Sequence, residues 1–340
     1  MPINDRQANL DARTRLVTEL RTGRLLSLTG AGLSAWAGYP TWQSFLAKVM
    51  NIVRTKEGSE IVIGQAEGIT DPLVKARRLA SFLGAEFEQI FRDEFGPRNT
   101  HPDEVLFRFV ALPFRHHTTL NFDPSIALAL AAIYRPHDVL TSVRREDLIT
   151  FLRDANLADY TQQVFHLHGR HDDPIDQIVL TEPGYTAHYA DNALRKHFLW
   201  NLFATHRLVF TGFGYTDADF LHSLRECCRH TRIEPGLRHF AIVPLWGTDN
   251  DLGKRVDLAD AYDTDAVFYE VQEDAQGLDQ HHKFKELIVG IATELNIHTP
   301  QKVIPALHPE GTVADPEDIR IVHEVTARTR GGLGRGLPNV

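Results

Sequence analysis

The sequence predicts an α/β fold, a doubly wound parallel sheet with helices on both faces. Short β-rich apolar runs alternate with helical patterns along most of the chain, and such alternation is typical of a parallel sheet that is covered on both sides. The first apolar run also ends in a glycine-rich turn that leads into an amphipathic helix. With 340 residues and 43% hydrophobic content, the chain can bury one large core or two smaller ones.

The amino-terminal part predicts a βα unit followed by a helical insertion. Helical spacing over 9–21 precedes the strand RLLSLTG at 24–30, and apolar residues recur at helical spacing from Trp42 to Val53. Two further helical patterns, at 72–93 and 102–110, come before the strand HHTTL at 116–120. Two neighbouring strands need much less connecting chain than this, so the surplus, about 54–112, predicts a small helical insertion.

The remainder of the core continues the alternation of strands and helices. The predicted strands are VFHLHG at 164–169, IVLT at 178–181, RLVFTG at 207–212, HFAIVP at 239–244 and AVFYEV at 266–271. The predicted helices are 186–205, 217–230 and 281–296. The main domain is therefore expected to span 1–296.

Residues 297–340 have a different composition, with five prolines, five glycines and the basic segment RTRGGLGRG. We interpret them as a C-terminal tail. Its one possible strand, IRIVHEV at 319–325, is available for pairing with a partner or with a second copy.

Composition excludes several classes of partner. The net charge of −9 and a pI of about 6.0 give no overall basic surface for direct binding of nucleic acid or of an anionic membrane. The N-terminus lacks a signal-peptide pattern, and no apolar stretch reaches the ~18 residues that cross a bilayer. A cytoplasmic protein is expected. The two cysteines, Cys227 and Cys228, are adjacent, which disfavours a structural disulfide.

A glycine-rich stretch, LTGAGLSAWAGYPTW, occupies 28–42 directly after the first strand. Glycines at the carboxyl end of a parallel strand let backbone amides approach an anion near a helix N-terminus. No third glycine completes a G-x-G-x-x-G pattern here. A tight strand-to-helix turn without a ligand explains this fragment equally well.

Three further stretches extend the pattern and together resemble the sirtuins. GAGLSAWAGYPTW resembles the sirtuin GAG-x-S signature, and TTLNFD at 118–123, HLHG at 166–169 and VFTGFGYTD at 209–217 follow in the sirtuin order. Each lies at the end of a predicted strand. The resemblance covers residues 25 to about 220 and implies a Rossmann-like fold that binds NAD.

The resemblance assigns cofactor-binding roles to several positions. Gly30, Ala31, Gly32 and Ser34 would line the NAD diphosphate and the adjacent ribose, with Pro40 and Trp42 in a flexible cofactor loop. Where sirtuins have Asp, Phe and Arg, this chain has Thr41, Trp42 and Gln43. Loss of that arginine removes a charge-assisted donor to phosphate, so backbone amides would carry more of the binding.

A second cofactor segment follows the strand at 207–212. Gly212, Phe213 and Gly214 lie where sirtuins have a Gly-Thr-Ser that contacts the ribose next to adenine. The alternative is a strand-end turn capped by Thr216 or Asp217.

The resemblance also assigns the chemistry at the scissile bond. Asn121 would hold the ribose and a water, Asp123 would accept from the nicotinamide amide, and His168 would act on a ribose hydroxyl. Histidine suits this last role because its ordinary pKa is roughly 6.5. The alternative for Asp123 is a cap on the helix that begins near Pro124.

No metal site is predicted. His166 and His168 share one face of a strand, but no third ligand at a persuasive spacing supports a metal, so His166 is expected to pack or to form hydrogen bonds. Protein-deacylating sirtuins carry a zinc module of four cysteines between these motifs, and the interval from His168 to Gly212 contains no cysteine. We therefore expect no zinc and no zinc-held groove for acyl-lysine.

Without that groove, the resemblance narrows to zinc-free sirtuin-like NADases of bacterial antiphage defence, in which segments such as GFGYTDADF and TEPGY are typical. It implies an NAD+ glycohydrolase that releases nicotinamide and ADP-ribose, depletes NAD in an infected cell and is held inactive until it assembles. The implied partners are a second copy of the chain and a separately encoded HerA-like hexameric ATPase, with a short Argonaute as the runner-up.

Three alternatives remain open at this point. The first is NAD-dependent deacylation or ADP-ribosylation of a protein. The second is a module that senses NAD or ADP-ribose without chemistry, although an amide, a carboxylate and an imidazole together exceed what binding alone requires. The third is an unrelated doubly wound domain.

Overall fold

The computed structural model describes residues 5–98, 102–133, 139–141, 163–190, 192–214, 218–231 and 237–297. Within them lies a seven-stranded sheet in the order β3-β4-β2-β1-β5-β6-β7, in which every neighbouring pair is parallel. The strands are β1 Leu26–Thr29, β2 His117–Thr119, β3 Val139–Thr141, β4 Val164–His166, β5 Leu208–Thr211, β6 His239–Leu245 and β7 Thr264–Glu270. The predicted Rossmann-like α/β fold is confirmed.

The helices lie before, between and after these strands. In chain order they are α1 Arg6–Leu20, α2 Ala31–Ser34, α3 Trp42–Arg54, α4 Glu60–Glu67, α5 Pro72–Leu83, α6 Ala85–Phe95, α7 Glu104–Val110, α8 Ser125–Ile133, α9 Glu182–Tyr185, α10 Ala193–Thr205, α11 Ala218–Thr231, α12 Asp251–Tyr262 and α13 His282–Glu294. A π-helix, Thr186–Ala190, lies between α9 and α10.

Helices cover both faces of the sheet. Consecutive residues of a strand point to opposite faces, so each face presents apolar side chains to the helices. On β5, Val209 packs in a core cluster with α1, α7, α8 and α13, whereas Phe210 packs in a second cluster with α10, α11 and α12. The sheet is therefore the middle layer of three, as in other doubly wound folds.

A third apolar cluster belongs to the helices that follow the first strand. It joins α3, α4, α5 and α6 around the fully buried rings of Phe45 and Phe91. Phe122, Ile178 and Leu180 complete it from the sheet side. The insertion therefore packs against the loops at one edge of the sheet, while α7 packs on the sheet itself. The domain limits 1–296 and about 54–112 remain predictions.

Several predicted elements differ from those observed. IVLT at 178–181 is not a strand, because Ile178 and Leu180 pack in the third cluster while Val179 packs in the second. The alternation of buried side chains thus comes from packing between two clusters. The short strand β3 was not predicted, and the possible strand at 319–325 lies outside the described residues.

Two predicted helices are interrupted. The pattern at 72–93 divides at Gly84, whose φ of +57° no helix accommodates. The pattern at 186–205 begins as the π-helix and restarts at α10, where the side chain of Asn192 caps the new helix by accepting from the backbone N–H of Arg195 at 3.1 Å.

Among the described helices, none is both long enough and apolar enough to cross a membrane.

Candidate functional site

The sheet contains a topological switch point between β1 and β5. The chain passes from β1 to β2 on one side and from β5 to β6 on the other, although β1 and β5 are hydrogen-bonded neighbours. Loops that leave two adjacent strands in opposite directions open a crevice at the carboxyl ends, where ligands of doubly wound folds bind. The predicted glycine motifs follow these two strands.

The two glycine turns are in direct backbone contact. Gly30 donates to the carbonyl of Thr211 at 3.0 Å, and Gly32 donates to the carbonyl of Gly212 at 3.0 Å. A Cβ on Gly30 would lie 2.5 Å from the Gly212 oxygen, and one on Gly212 would lie 2.4 Å from the backbone nitrogen of Leu33. Gly212 also has a φ of +61°. These glycines are thus required for the packing of the two turns on each other.

Part of the same turns faces solvent at the mouth of the crevice. Gly32 and Gly214 are exposed, and Ala31 and Phe213 are half-buried. The Phe213 ring packs against Phe210 at 6.0 Å and is thereby held at the crevice. The backbone here is accessible to a ligand, which fits a dinucleotide. Thr216 and Asp217, the alternative caps, lie outside the described residues.

A chain of buried hydrogen bonds joins the first turn to the loop after β2. The side-chain amide of Asn121 donates to Ser34 Oγ at 2.7 Å. Ser34 Oγ lies 3.4 Å from Ser125 Oγ, and the backbone N–H of Ser125 donates to the carboxylate of Asp123 at 3.1 Å. The structure therefore brings Ser34, Asn121 and Asp123 together, and the Asn121 Oδ1 is left to accept a hydrogen bond from a ligand.

Asp123 is a deeply buried carboxylate, 3% exposed. Burial raises its pKa, and the hydrogen bonds from Ser125 and Ser34 oppose that rise. Asp123 Oδ1 also accepts from the backbone N–H of Ser125 at 3.1 Å, at the start of α8. Asp123 thus contacts the start of α8, as the alternative interpretation of a helix cap predicts. A carboxylate has two acceptor oxygens, so Asp123 can still accept a hydrogen bond from an amide.

His166 supports Asn121 from the neighbouring strand. Its Nδ1 lies 2.8 Å from the Asn121 carbonyl, so Nδ1 carries the proton. Burial lowers the pKa of His166 to about 4, and the ring is neutral at physiological pH. Its Nε2 is buried and has no hydrogen-bond partner among the described residues. His166 therefore forms a hydrogen bond, as expected, and fixes the backbone of Asn121.

His168 lies beside the same loop. Its ring centroid is 6.3 Å from that of Phe122, the residue between Asn121 and Asp123, and 6.0 Å from that of Tyr185 in α9. Gly169 follows with a φ of +86°, so a residue with a side chain would be strained there. His168 thus lies on the adjacent strand end at the edge of the sheet that carries Asn121.

The predicted cofactor loop is anchored to the insertion. The hydroxyl of Tyr39, next to Pro40, donates to the Gly96 carbonyl at 3.1 Å, and Arg98 donates to the Gly38 carbonyl at 3.0 Å. Trp42 stacks on Phe45 at 5.2 Å and lies 5.8 Å from Phe122. The loop therefore contacts the aromatic residue that separates Asn121 and Asp123.

Gln43 is separate from the other predicted site residues. It is exposed and lines an open cavity of about 440 Å³ with residues of α3 and α5 and of the segment between α4 and α5. None of the other predicted site residues lines that cavity.

Several residues of the site were missed by sequence reasoning. Ser125 sits two residues after Asp123, in a position where a serine reads as an ordinary helix start. Tyr39 was passed over within the glycine stretch, yet burial and the nearby charge of Asp123 raise its pKa. Arg195 is an unremarked arginine in a helical pattern, and only the fold shows that it is buried next to the HLHG loop.

No group of three or more His, Cys, Asp or Glu side chains placed to hold a metal occurs in the part of the chain that the structure describes. Cys227 and Cys228 are free thiols buried on α11, and burial raises the pKa of Cys228.

Residues 115–263 match a family model that is described as a SIR2-like domain. SIR2-like domains use NAD. The matched region contains Asn121, Asp123, His168 and Gly212, while the first glycine turn lies before it. No curated protein matches the chain.

Proposed function

We propose that this chain, through its SIR2-like domain, is an NAD+ glycohydrolase that cleaves NAD to nicotinamide and ADP-ribose. The observation that carries the proposal is the buried chain of hydrogen bonds from Asn121 through Ser34 and Ser125 to Asp123. It lies beside the glycine turns of the switch point, where doubly wound folds bind nucleotides.

The arrangement fits the chemistry of the nicotinamide–ribose bond. Cleavage breaks the bond between the ribose carbon and the pyridine nitrogen, the electron pair leaves with nicotinamide, and the oxygen of water bonds to the carbon. Asn121, held by Ser34 and His166, would orient the ribose and the water through its Oδ1. Asp123 would accept from the nicotinamide amide, and His168 would act on a ribose hydroxyl and pass a proton to solvent.

Hydrolysis is favoured over protein deacylation by the cysteine content. The chain has two cysteines, both on α11. Two thiolates cannot form a four-cysteine zinc module like the one in deacylating sirtuins. With no acyl-lysine groove built on such a module, water is the acceptor in the proposal. Protein deacylation or ADP-ribosylation is the competing outcome of the test.

The proposal extends to biology. Depletion of NAD by the assembled protein would serve antiphage defence in the cytoplasm. Its activity would be controlled by self-association and by a separately encoded partner, for which a HerA-like hexameric ATPase is preferred over a short Argonaute. The sirtuin resemblance supports this extension.

The test follows NAD loss and nicotinamide release by chromatography, with the full chain alone and with the complex recovered from its native host. We expect turnover without any peptide. Asn121→Ala and His168→Ala should each lower it by about 100-fold or more, while the exposed matched controls Asn201→Ala and His222→Ala should retain it.

Two results would overturn the proposal. One is full turnover in the Asn121 and His168 variants, which would place the chemistry elsewhere. The other is product formation only when an acyl-lysine peptide or an acceptor protein is added, which would make the chain a transferase.

A further inference from the structure

A buried arginine, Arg195, forms a hydrogen bond with the residue that precedes His168. Arg195 is 2% exposed, and arginine is almost never buried to this extent unless its charge is paired. Its Nη1 donates to the carbonyl of Leu167, the residue before His168, at 2.7 Å. Arg195 is fixed at the start of α10, where its backbone N–H is bound by the side chain of Asn192.

A second side chain donates to the same carbonyl. Nε2 of His188 lies 2.9 Å from the Leu167 oxygen. Burial, together with the charge of Arg195, lowers the pKa of His188 to about 2, so its ring is neutral and its one N–H is directed at Leu167. Both lone pairs of the Leu167 carbonyl are therefore used by side chains from one segment of the chain.

The backbone that presents His188 is unusual. His188 belongs to the π-helix Thr186–Ala190, a conformation that is rare and frequently occurs at functional sites. The residue just before this π-helix, Tyr185, contacts the His168 ring edge-on. The short segment from α9 to the start of α10 thus contacts both the ring of His168 and the peptide bond that precedes it.

Main-chain bonds complete the support of His168. The N–H of Leu167 donates to the Thr119 carbonyl at 2.8 Å, and the His168 carbonyl accepts from the N–H of Val179 at 3.0 Å. These bonds place the loop next to β2, but the orientation of the peptide plane between Leu167 and His168 depends on the carbonyl that Arg195 and His188 hold.

We propose that Arg195 and His188 are positioning residues that set the orientation of His168 through the Leu167 carbonyl. The inference rests on the proposed NAD hydrolysis by this site. Misplacement of a reacting group by about 1 Å can cost two orders of magnitude in rate. Loss of either donor should therefore reduce kcat more than it changes KM, since neither side chain is placed to bind the substrate.

The experiment compares Arg195→Met, which keeps the volume but removes the donors, with Arg195→Lys, which keeps a cation and N–H groups. We expect Arg195→Met to lower kcat for NAD by about 10-fold or more with little change in KM. Arg195→Lys should restore most of kcat. His188→Ala, at a less buried position, should reproduce the loss, and His188→Gln, which can still donate, should recover part of it.

Arg255→Met is the matched control. Arg255 of α12 also donates to a main-chain carbonyl, that of Ala266 at 2.9 Å, and stacks on Phe268, but both of these contacts are on β7, at the opposite edge of the sheet from β3 and β4. Its removal should cost stability and leave kcat unchanged.

Hydrogen exchange gives a readout independent of activity. In folded Arg195→Met or His188→Ala, amides of 164–169 should exchange faster while those of β6 do not change. Wild-type kcat and unchanged exchange at 164–169 in His188→Ala would overturn the inference. Absence of NAD turnover in the wild-type complex would instead overturn the proposed function, and the exchange measurement would still decide whether these residues hold the loop.

Discussion

Gly212 occupies a position of this site at which there is no room for a side chain. Its Cα lies against the other glycine turn, so a methyl group has no space there. Gly58 also has a positive φ, +74°, but nothing lies within 4 Å of where its Cβ would be. The two positions thus share a backbone conformation and differ in their surroundings.

Gly212→Ala is therefore expected to destabilise the protein more than Gly58→Ala. The control should lose about 1–2 kcal/mol of unfolding free energy, from the left-handed conformation alone. Gly212→Ala should lose about 1–3 kcal/mol more, because its Cβ overlaps the Leu33 backbone nitrogen. Urea denaturation of both variants measures the difference, and equal losses would show that the two turns do not pack as described.

Buried histidines predict how stability depends on pH. Burial lowers the pKa of His239 to about 4, helped by the charge of Arg207, and its Nδ1 accepts from the Leu208 N–H. Its folded pKa lies below the ordinary value of roughly 6.5, so the unfolded chain takes up the proton first. The stability that this neutral ring contributes is complete above pH 6.5 and falls as the pH drops toward 4.

Substitution isolates this contribution. Between pH 6.5 and 5, one such group accounts for a loss on the order of 2 kcal/mol. His239→Gln should show a smaller drop in unfolding free energy over that interval than the wild type, measured by urea titration at each pH. An identical pH dependence in both proteins would mean that His239 is not held neutral by the fold.

Sequence reasoning identified the polar residues of the site better than their partners. Asn121, Asp123 and Ser34 lie in recognisable stretches, and in the structure a chain of hydrogen bonds through Ser125 brings them together. Ser125, His188 and Arg195 carry no local pattern. Their contacts depend on the approach of chain segments far apart in sequence, which periodicity and spacing do not describe.

At the scale of elements, the insertion and the site share one aromatic cluster. Phe91 of α6 lies 5.1 Å from Phe122, and Phe122 separates Asn121 from Asp123. Phe240 of β6 is equally buried but lies near the amino end of its strand, where the Arg207 guanidinium is 5.0 Å from its ring centroid. The two phenylalanines therefore allow stability and site geometry to be separated.

Phe91→Leu and Phe240→Leu should each cost about 1–2 kcal/mol of stability through lost packing. Only Phe91→Leu should also lower kcat for NAD, because the cavity lets Phe122 and its neighbours move. Stability by thermal unfolding and kcat per folded molecule are the measurements. Equal kcat in the two variants would mean that the insertion does not support the site.

Local patterns fail where two clusters compete for one segment. IVLT at 178–181 has the composition of a strand, yet its side chains alternate between the core of the insertion and the core of the sheet. The sequence shows that apolar side chains alternate, but it does not show which surfaces bury them. The π-helix has no local sequence pattern either, and its His188 contacts Leu167, a residue 21 positions earlier in the chain.

For the molecule as a whole, the strand order is what the sequence could not supply. Alternating strands and helices predict a parallel sheet, but β4 lies between β3 and β2, and β5 pairs with β1 across a long stretch of chain. Only this order joins the first and last glycine motifs. It also makes a prediction about where a ligand protects the protein.

ADP-ribose, the proposed product, should slow amide exchange at the carboxyl ends of β1, β2 and β5, including 30–34 and 119–125. Amides at the amino ends, near 206–208 and 237–239, should be unaffected, because the switch point lies at the opposite edge of the sheet. Mass spectrometry of exchange with and without ADP-ribose tests this. Protection confined to the amino ends would contradict the location of the site.

The mutual backbone bonding of the turns at 30–33 and 211–212 has a consequence for protein engineering. If one turn is replaced or randomised in a library, the other turn still has the backbone that packs against the original sequence. A chimaera that folds will therefore need both turns to be exchanged together.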